Sequence, residues 1–360
     1  MTNLENLKFI NKKYTHVPHL LNPSKETLKY CHSLLVFDPY GGCSHNCVYC
    51  YSKMGLPLIH NQNLGSEIHI RKNTIKLLEN FLKKYHFLKF PIRISSSNDP
   101  LQPCEEIFNL TYRSLKLLLR YDYPAIICTK GKISEKILVI SKKLAKKKLI
   151  RFQISLGFCN EKIISVLEPN CPLETRIEVI QSCIQSNIPI SIRYQPIIPF
   201  YYNNESIIRS EIQFFKNLGV KHIIASFIKL KKRNMDYYTK QFKGLQKIKD
   251  FNFKKFSNPE NWERGGFYLK PAKKIKENFI KILYETCLKE KTELTTCKEG
   301  FWKYHTIEDC CGGIYERFSD NWWFNHTFSK KLIKLFSNYP NVHKFGNFNN
   351  KSQKKITNWI

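Results

Sequence analysis

No run of apolar residues in this 360-residue chain approaches the ~18 that a membrane-spanning helix needs, so a helical membrane protein is not expected. The opening stretch MTNLENLKFINKKY is too polar for a secretory signal. A Gly/Ser-rich linker is missing, as is any internal repeat beyond alternating strand and helix patterns, which argues against independent domains on a tether. The 13 cysteines are odd in number and irregular in spacing, unlike the paired framework of a secreted disulfide protein. These absences point to a cytoplasmic protein with no membrane partner, whose thiols serve as ligands in a reducing compartment. Acidic residues are scarce, 29 Asp and Glu against 59 Lys and Arg, for a formal net charge of +30. Such a surplus suits a polyanionic partner, DNA or RNA, because phosphate contacts dominate nucleic-acid affinity. The chain is also rich in Lys, Asn, Ile, Phe and Tyr, a composition that an AT-rich genome produces without any such partner.

What is present is ample apolar material, 42% of the residues, enough for two ordinary domains or one barrel with an appendage. Residues 1–32 are polar and without period and read as an N-terminal extension. Their His16, His19, Cys31 and His32 match no metal spacing. From 33 to 228 short apolar runs alternate with periodic segments, as βα units do. Strands are expected at 33–38, 91–96, 124–129, 151–156, 189–194 and 220–227. Helices are expected at 71–85, with Ile75, Leu78 and Leu82 on one face, and at 105–121, 134–148 and about 172–187. Six such repeats define an α/β fold, a partial six-stranded parallel (β/α)6 barrel. Beyond 229 the rhythm stops, and residues 229–360 read as a C-terminal helical and aromatic-rich extension, with a helix expected over 271–290.

The barrel pattern is organised around DPYGGCSHNCVYCY, residues 38 to 51, which leaves the carboxyl end of the first strand, the end where α/β barrels build their sites. It spaces Cys43, Cys47 and Cys50 as C-x3-C-x2-C, with Tyr49 before the last thiol. Iron-sulfur clusters are normally held by four cysteines. A triplet therefore leaves one iron of a 4Fe-4S cluster open to another ligand. Three buried thiols, or a zinc site one ligand short, are the plainer readings.

The triplet resembles the signature of the radical SAM superfamily. The ordered set DPYGGCSHNCVYCY, SSSNDP, CTKG, FQIS, LEPNCPLETRIEVIQ and RYQPIIP is similar to spore photoproduct lyase and related DNA repair photolyase-like radical SAM proteins, over about residues 33 to 230. The resemblance implies S-adenosylmethionine (SAM) chelated at the open iron and split by one electron to methionine and a 5'-deoxyadenosyl radical. It also implies an electron donor such as flavodoxin or ferredoxin. Small polar groups at successive strand ends suit the nucleoside. Ser97, Asn98 and Asp99 are candidates for the methionyl amine, Lys130 for the SAM carboxylate and Ser155 for the ribose. Asp99, Lys130 and Ser155 fall at SAM-contacting positions of the family. Glu168 and Arg176 match a recurrent pair that either touches SAM or closes the barrel as an ion pair.

Two departures bear on the reaction. Where spore photoproduct lyase has a hydrogen-donating cysteine, three residues before the aspartate, this chain has Ser96, whose O–H bond is too strong for that task. Cys104 is the candidate substitute. In the tail, Cys287, Cys297, Cys310 and Cys311 are spaced C-x9-C-x12-C-C and suggest a second iron-sulfur cluster or zinc, against a set of packed thiols. Tyr315, Arg317, Trp322, Trp323 and His326 form an aromatic and basic group suited to stacking on bases, or to a core. The expectation is a radical SAM enzyme acting on nucleic acid. The alternatives are a peptide- or protein-modifying radical SAM enzyme with an auxiliary cluster, and a non-catalytic zinc-stabilised nucleic-acid-binding protein.

Overall fold

The computed structural model describes residues 8–12, 35–50, 67–71, 73–86, 91–95, 97–201, 205–248, 251–265, 268–307 and 310. Ser96, Cys311, the 315–326 aromatic group and the N-terminal His16, His19, Cys31 and His32 lie outside them. In chain order the strands are β1 (Lys8–Lys12), β2 (Leu35–Phe37), β3 (Tyr40–Gly41), β4 (Glu67–Arg71), β5 (Ile92–Ile94), β6 (Ala125–Thr129), β7 (Ile150–Ser155), β8 (Ile190–Ile197), β9 (His222–Phe227), β10 (Leu230–Lys231), β11 (Trp262–Gly265), β12 (Tyr268–Pro271) and β13 (Glu293–Thr295). The six expected barrel strands are β2 and β5 to β9. They pair in parallel and lie side by side in the order in which they occur.

The sheet has a seventh strand that sequence reading missed. β13 joins the free edge of β9 in parallel, with Leu294 opposite Ile223 and Thr295 opposite Ile224. Three residues, Glu-Leu-Thr, carry no detectable period, and only the exposed edge of β9 makes them a strand. The helix before it, Lys273–Lys289, is the one expected over 271–290 and supplies the crossover. Two small sheets flank the large one: β1 and β3 on either side of β4, and β10 and β11 on either side of β12.

Alternation along each strand sorts the two faces of the sheet. Ile92, Ile94, Ile127, Phe152, Ile192 and Ala225 point to the helices and join one large apolar core. There they meet Leu78, Phe81 and Leu82 of Thr74–Tyr85, Val179 and Ile180 of Leu173–Gln185, and Ile212 and Phe215 of Glu205–Asn217. The other face is polar. Gln153 Oε1 accepts from both Arg93 Nη1 (2.8 Å) and Arg193 Nη1 (2.9 Å), and Gln153 Nε2 donates to the Cys310 carbonyl at 2.7 Å, so the segment after β13 covers this face.

The helix expected over 105–121 is two helices, Glu105–Phe108 and Leu110–Arg120, broken where Asn109 takes a left-handed backbone at φ 53°. The Glu105 carboxylate explains the break, since it accepts from the Thr111 and Tyr112 amides at 2.9 and 2.8 Å and so satisfies the first turn of the second helix. Among the described residues no helix is long and apolar enough to cross a membrane.

Candidate cluster and nucleoside site

The cysteine loop leaves β2 and turns at Gly42, whose φ of 76° favours glycine, and again at Asn46, φ 54°. Short polar contacts to later strand ends hold it. The Asp38 carboxylate accepts from Ser97 Oγ at 2.9 Å and Ser95 Oγ at 3.2 Å. Asn98 Nδ2 donates to the Tyr40 carbonyl at 2.7 Å, and the Ser44 amide donates to Gln102 Oε1 at 3.0 Å. The expected amine contacts Ser97 and Asn98 are thus also what splices the second strand end to the loop.

Asp99 is the hub of the next layer. Its carboxylate accepts from Thr129 Oγ1 at 2.7 Å and from the Lys130 and Leu101 amides at 2.6 and 2.9 Å, and it pairs with His45 Nε2 at 3.2 Å. Burial pushes this carboxyl up, but the His45 charge and these hydrogen bonds outweigh it and hold Asp99 below its ordinary value. The reciprocal interaction lifts His45 above its ordinary value against its own burial. Gly131 lets the end of β6 lie against this turn, since a Cβ there would stand 2.1 Å from the Leu101 carbonyl oxygen.

A second network forms on the far side of the loop. Glu168, with no exposed side-chain surface, is bonded to the Tyr49 hydroxyl and the Arg176 guanidinium, and Lys130 Nζ lies 3.4 Å away. Burial raises the Glu168 carboxyl, while Arg176 and then Lys130 more than reverse the shift. Of the two roles open for Glu168 and Arg176, the buried ion pair is present. It also anchors the residue before Cys50. Lys130 sits 5.9 Å from the centre of the Tyr49 ring, and an ammonium has three donors, so the contact with Glu168 leaves capacity for another acceptor. Ser155 ends β7, and its carbonyl accepts from Arg176 Nη1 at 3.4 Å.

Cys43 and Cys50 are partly open and Cys47 is buried. Three soft sulfur donors on one bent loop match the chemistry of an iron-sulfur cubane, in which each thiolate takes a different iron. The Ser44 hydroxyl and His45 Nδ1 are buried on the same loop with no hydrogen-bond partner among the described residues, which leaves polar capacity beside the thiols. The donor set therefore fits a 4Fe-4S cluster.

Other expected residues are placed differently. Cys104 is fully buried in an apolar cluster with Tyr40, Ile68, Ile70 and Leu110, and burial and then Glu105 drive its thiol far up. Such packing is that of a structural thiol. Cys287 packs in the main core, where burial pushes it up to about 12, whereas Cys297 and Cys310 belong to a separate cluster with Ile126 and Ile224. The Cys310 amide donates to Cys297 Sγ at 3.2 Å. Of the described tail cysteines, Cys287 thus lies apart from Cys297 and Cys310. Among the described residues no three His, Cys, Asp or Glu side chains are grouped to hold a single metal ion.

Two cysteines that sequence reasoning passed over are near these groups. Cys128, directly before Thr129, packs with Cys297 and Cys310. Cys171, three residues after Glu168, is buried near enough to Cys47 for the two thiols to shift one another. The neighbouring Cys171 thiol is the foremost reason the Cys47 thiol is lowered to about 7, with burial opposing and the Lys130 charge assisting. Its position in EPNC, beside the recurrent Glu168, was the available signal.

The resemblance to the radical SAM superfamily extends to the fold. The chain superposes on a mutant spore photoproduct lyase with bound AdoMet and dinucleoside spore photoproduct at a TM-score of 0.60 with 9% identity, covering 81% of this chain and 83% of that one. A second form, complexed with dinucleoside spore photoproduct, matches at 0.59 with 11% identity over the same shares. At these identities the likeness is one of fold. Among curated proteins, an uncharacterized protein of Methanocaldococcus jannaschii is 27% identical over 190 residues, 52% of this chain and 68% of its own length. An uncharacterized protein of Mycobacterium tuberculosis is 20% identical over 164 residues, 44% of this chain and 48% of its own, so the chain spans about half of that relative. No family model matches the chain.

Proposed function

We propose that the protein is a radical SAM enzyme that acts on nucleic acid. The observation that carries the reading is a three-thiol loop on the end of β2, clamped by polar groups from successive strand ends, in the fold of spore photoproduct lyase. A 4Fe-4S cluster on Cys43, Cys47 and Cys50, with SAM at its open iron, supplies reductive cleavage of SAM and a 5'-deoxyadenosyl radical. The chain's own residues then have distinct tasks. Lys130 offers its spare N–H donors to a carboxylate, and the Ser155 hydroxyl is available to a ribose. Ser97, Asn98 and Asp99 line up the second strand end for an ammonium group. Tyr49, Glu168 and Arg176 keep the loop rigid so that the thiols hold one geometry. Electrons come from a small cytoplasmic donor of the flavodoxin or ferredoxin type.

After anaerobic reconstitution with iron and sulfide, the reduced protein is expected to convert SAM to 5'-deoxyadenosine and methionine. Cys47→Ala should abolish this and the loaded iron with it. A reconstituted wild type that never cleaves SAM would sink the reading. The substrate class rests on the +30 charge. Binding to a DNA or RNA duplex should weaken steeply as salt rises. No binding at low salt would favour a peptide or protein substrate instead. With Ser96 at the position of the hydrogen-donating cysteine and Cys104 in the core, repair of a thymine photoproduct is not the reaction proposed.

A further inference from the structure

The polar face of the large sheet holds two arginines that meet on one amide. Arg93 of β5 and Arg193 of β8 lie on the face opposite the helix-side core and are only 5% and 8% exposed. Their Nη1 atoms donate to the same oxygen, Gln153 Oε1, at 2.8 and 2.9 Å. The orientation of that amide is fixed, because its Nε2 donates to the Cys310 carbonyl at 2.7 Å and a carbonyl can only accept. Arg193 Nη2 donates to a second amide oxygen, Gln195 Oε1, at 2.5 Å. The partners of Arg193 among the described residues are therefore neutral, and its guanidinium keeps further N–H groups beyond these two bonds. An amide oxygen aims a guanidinium without cancelling its charge. A buried cation held this way is costly, and an apolar side chain would serve folding alone. The layer is nonetheless reachable, since Cys128, Ser155 and Gln195 beside it are partly exposed. Cys128 Sγ lies 3.0 Å from Arg93 Nη1, and Ser155 is the register partner of Arg193. Ser95, two residues beyond Arg93, bonds to the Asp38 carboxylate at the start of the cysteine loop. The arginines thus lie one pleat below the strand ends that clamp the thiols.

We propose that Arg193, with Arg93 beside it and Gln153 aiming both, forms a binding site for the phosphate group of a nucleotide. The nucleotide as the source of that phosphate rests on the reading of a nucleic-acid substrate, whereas the oxyanion chemistry rests on the arginines alone. A guanidinium presents its N–H donors in a planar fork that matches two oxygens of one phosphate, and the attraction is stronger where water is excluded. Phosphate oxygens would take the spare N–H groups of Arg193 and bring the negative charge that two amides do not. A carboxylate fits the same fork, but the +30 charge of the chain favours a phosphate-bearing ligand. Exposed lysines hold phosphates through screened contacts that accept any of them in turn. This pair is walled by strands and aimed by fixed amides, so it selects one phosphate.

The test is isothermal titration of uridine 5'-monophosphate, uridine, inorganic phosphate and acetate into the purified full-length wild type, Arg193→Gln, Arg193→Lys and Arg209→Gln. Wild type should bind the monophosphate about tenfold or more tightly than uridine. Arg193→Gln should lose that preference, and Arg193→Lys, which keeps the charge but not the fork, should fall between. Arg209→Gln removes the same charge from an exposed helix position, where Arg209 pairs with Glu205, and should keep the preference. Equal affinity of wild type for the monophosphate and uridine would overturn the inference. So would a preference that survives in Arg193→Gln, or one that Arg209→Gln removes as completely, since surface charge would then hold the phosphate. Should the glutamine variant fail to fold, an undiminished preference in the lysine variant would overturn it. Acetate competing as strongly as inorganic phosphate would overturn phosphate as the ligand, and inorganic phosphate binding as tightly as the monophosphate would overturn the nucleotide as its source. None of these titrations requires SAM cleavage. A protein that prefers the monophosphate but never cleaves SAM would sink the enzyme reading and leave this site standing, and SAM cleavage without the preference would do the reverse.

Discussion

Glu168 is one of the two buried carboxylates, with Asp99, on which the site is built. It is fully buried, and Tyr49, Lys130 and Arg176 converge on it. Removing one member of a buried ion pair leaves an uncompensated charge, at a cost of about 3–5 kcal/mol. Arg176→Leu should therefore lower the urea midpoint sharply, whereas Tyr49→Phe removes one hydrogen bond and should cost about 1 kcal/mol. Both losses are readable in equilibrium unfolding without any cofactor. His222 is a second buried group with a measurable signature. Burial, and then the nearby Arg151 charge, lower its pKa to about 3, with Cys310 opposing and His305 adding to the effect. Its ring bonds to Ser191 at 2.8 Å and Thr295 at 3.0 Å. The unfolded chain takes up this proton near the ordinary value of about 6.5. The contribution of His222 is thus full above that pH and falls by about 1.4 kcal/mol per pH unit as pH drops toward the folded value. His222→Gln should flatten that part of the pH dependence of unfolding, and an unchanged slope would contradict the assignment.

At the scale of elements, β13 is the unexpected piece. It is short, yet Leu294 is completely buried in the main core and Thr295 meets His222, so the strand closes both faces of the sheet at the β9 edge. The Glu299 carboxylate extends the attachment by accepting from Ser226 Oγ at 2.9 Å and the Phe227 amide at 3.1 Å. Leu294→Ala should cost about 2–4 kcal/mol through the lost burial and the cavity left behind. Amides of β9 that face β13 should exchange faster in that variant, and equal exchange would mean that the strand contributes nothing to the edge. Residues 167–170 also act beyond their length, since the Leu167 carbonyl accepts from the Val48 amide at 2.9 Å and Asn170 Nδ2 donates to the Ser44 carbonyl at 2.8 Å. They tie the loop after β2 to the helix Leu173–Gln185, two parts of the chain far apart in sequence.

At the scale of the whole molecule, the cysteines divide by where the fold sends them. The triplet is on the carboxyl-end loop, Cys287 is in the helix-side core, and Cys297 and Cys310 are against the polar face of the sheet. Cys287→Ala should accordingly leave the iron content of the reconstituted protein unchanged, at about four per chain if the triplet alone is loaded. A drop of iron in that variant would show that Cys287 is a ligand. The charge surplus is also a property of the molecule as a whole, and if the proposed nucleic-acid partner is right, binding should weaken steeply as salt rises.

Six parallel strands, the helices between them and the cysteine loop at a strand end were legible in the chain itself. Apolar periodicity is local, and the triplet spans eight residues, so neighbours in sequence carried that information. The polar strand ends were legible as candidates, since each follows its strand directly. Their division of labour was not. Asp38, Ser97 and Asn98 turned out to splice two strand ends, Glu168 to pair with Arg176, and Cys104 to face a core. The approach of Cys171 to Cys47, the separation of Cys287 from Cys310 and the docking of β13 depend on contacts between residues distant along the chain. Such contacts leave no spacing to read, because packing of the folded sheet and helices, rather than local propensity, decides which side chains meet.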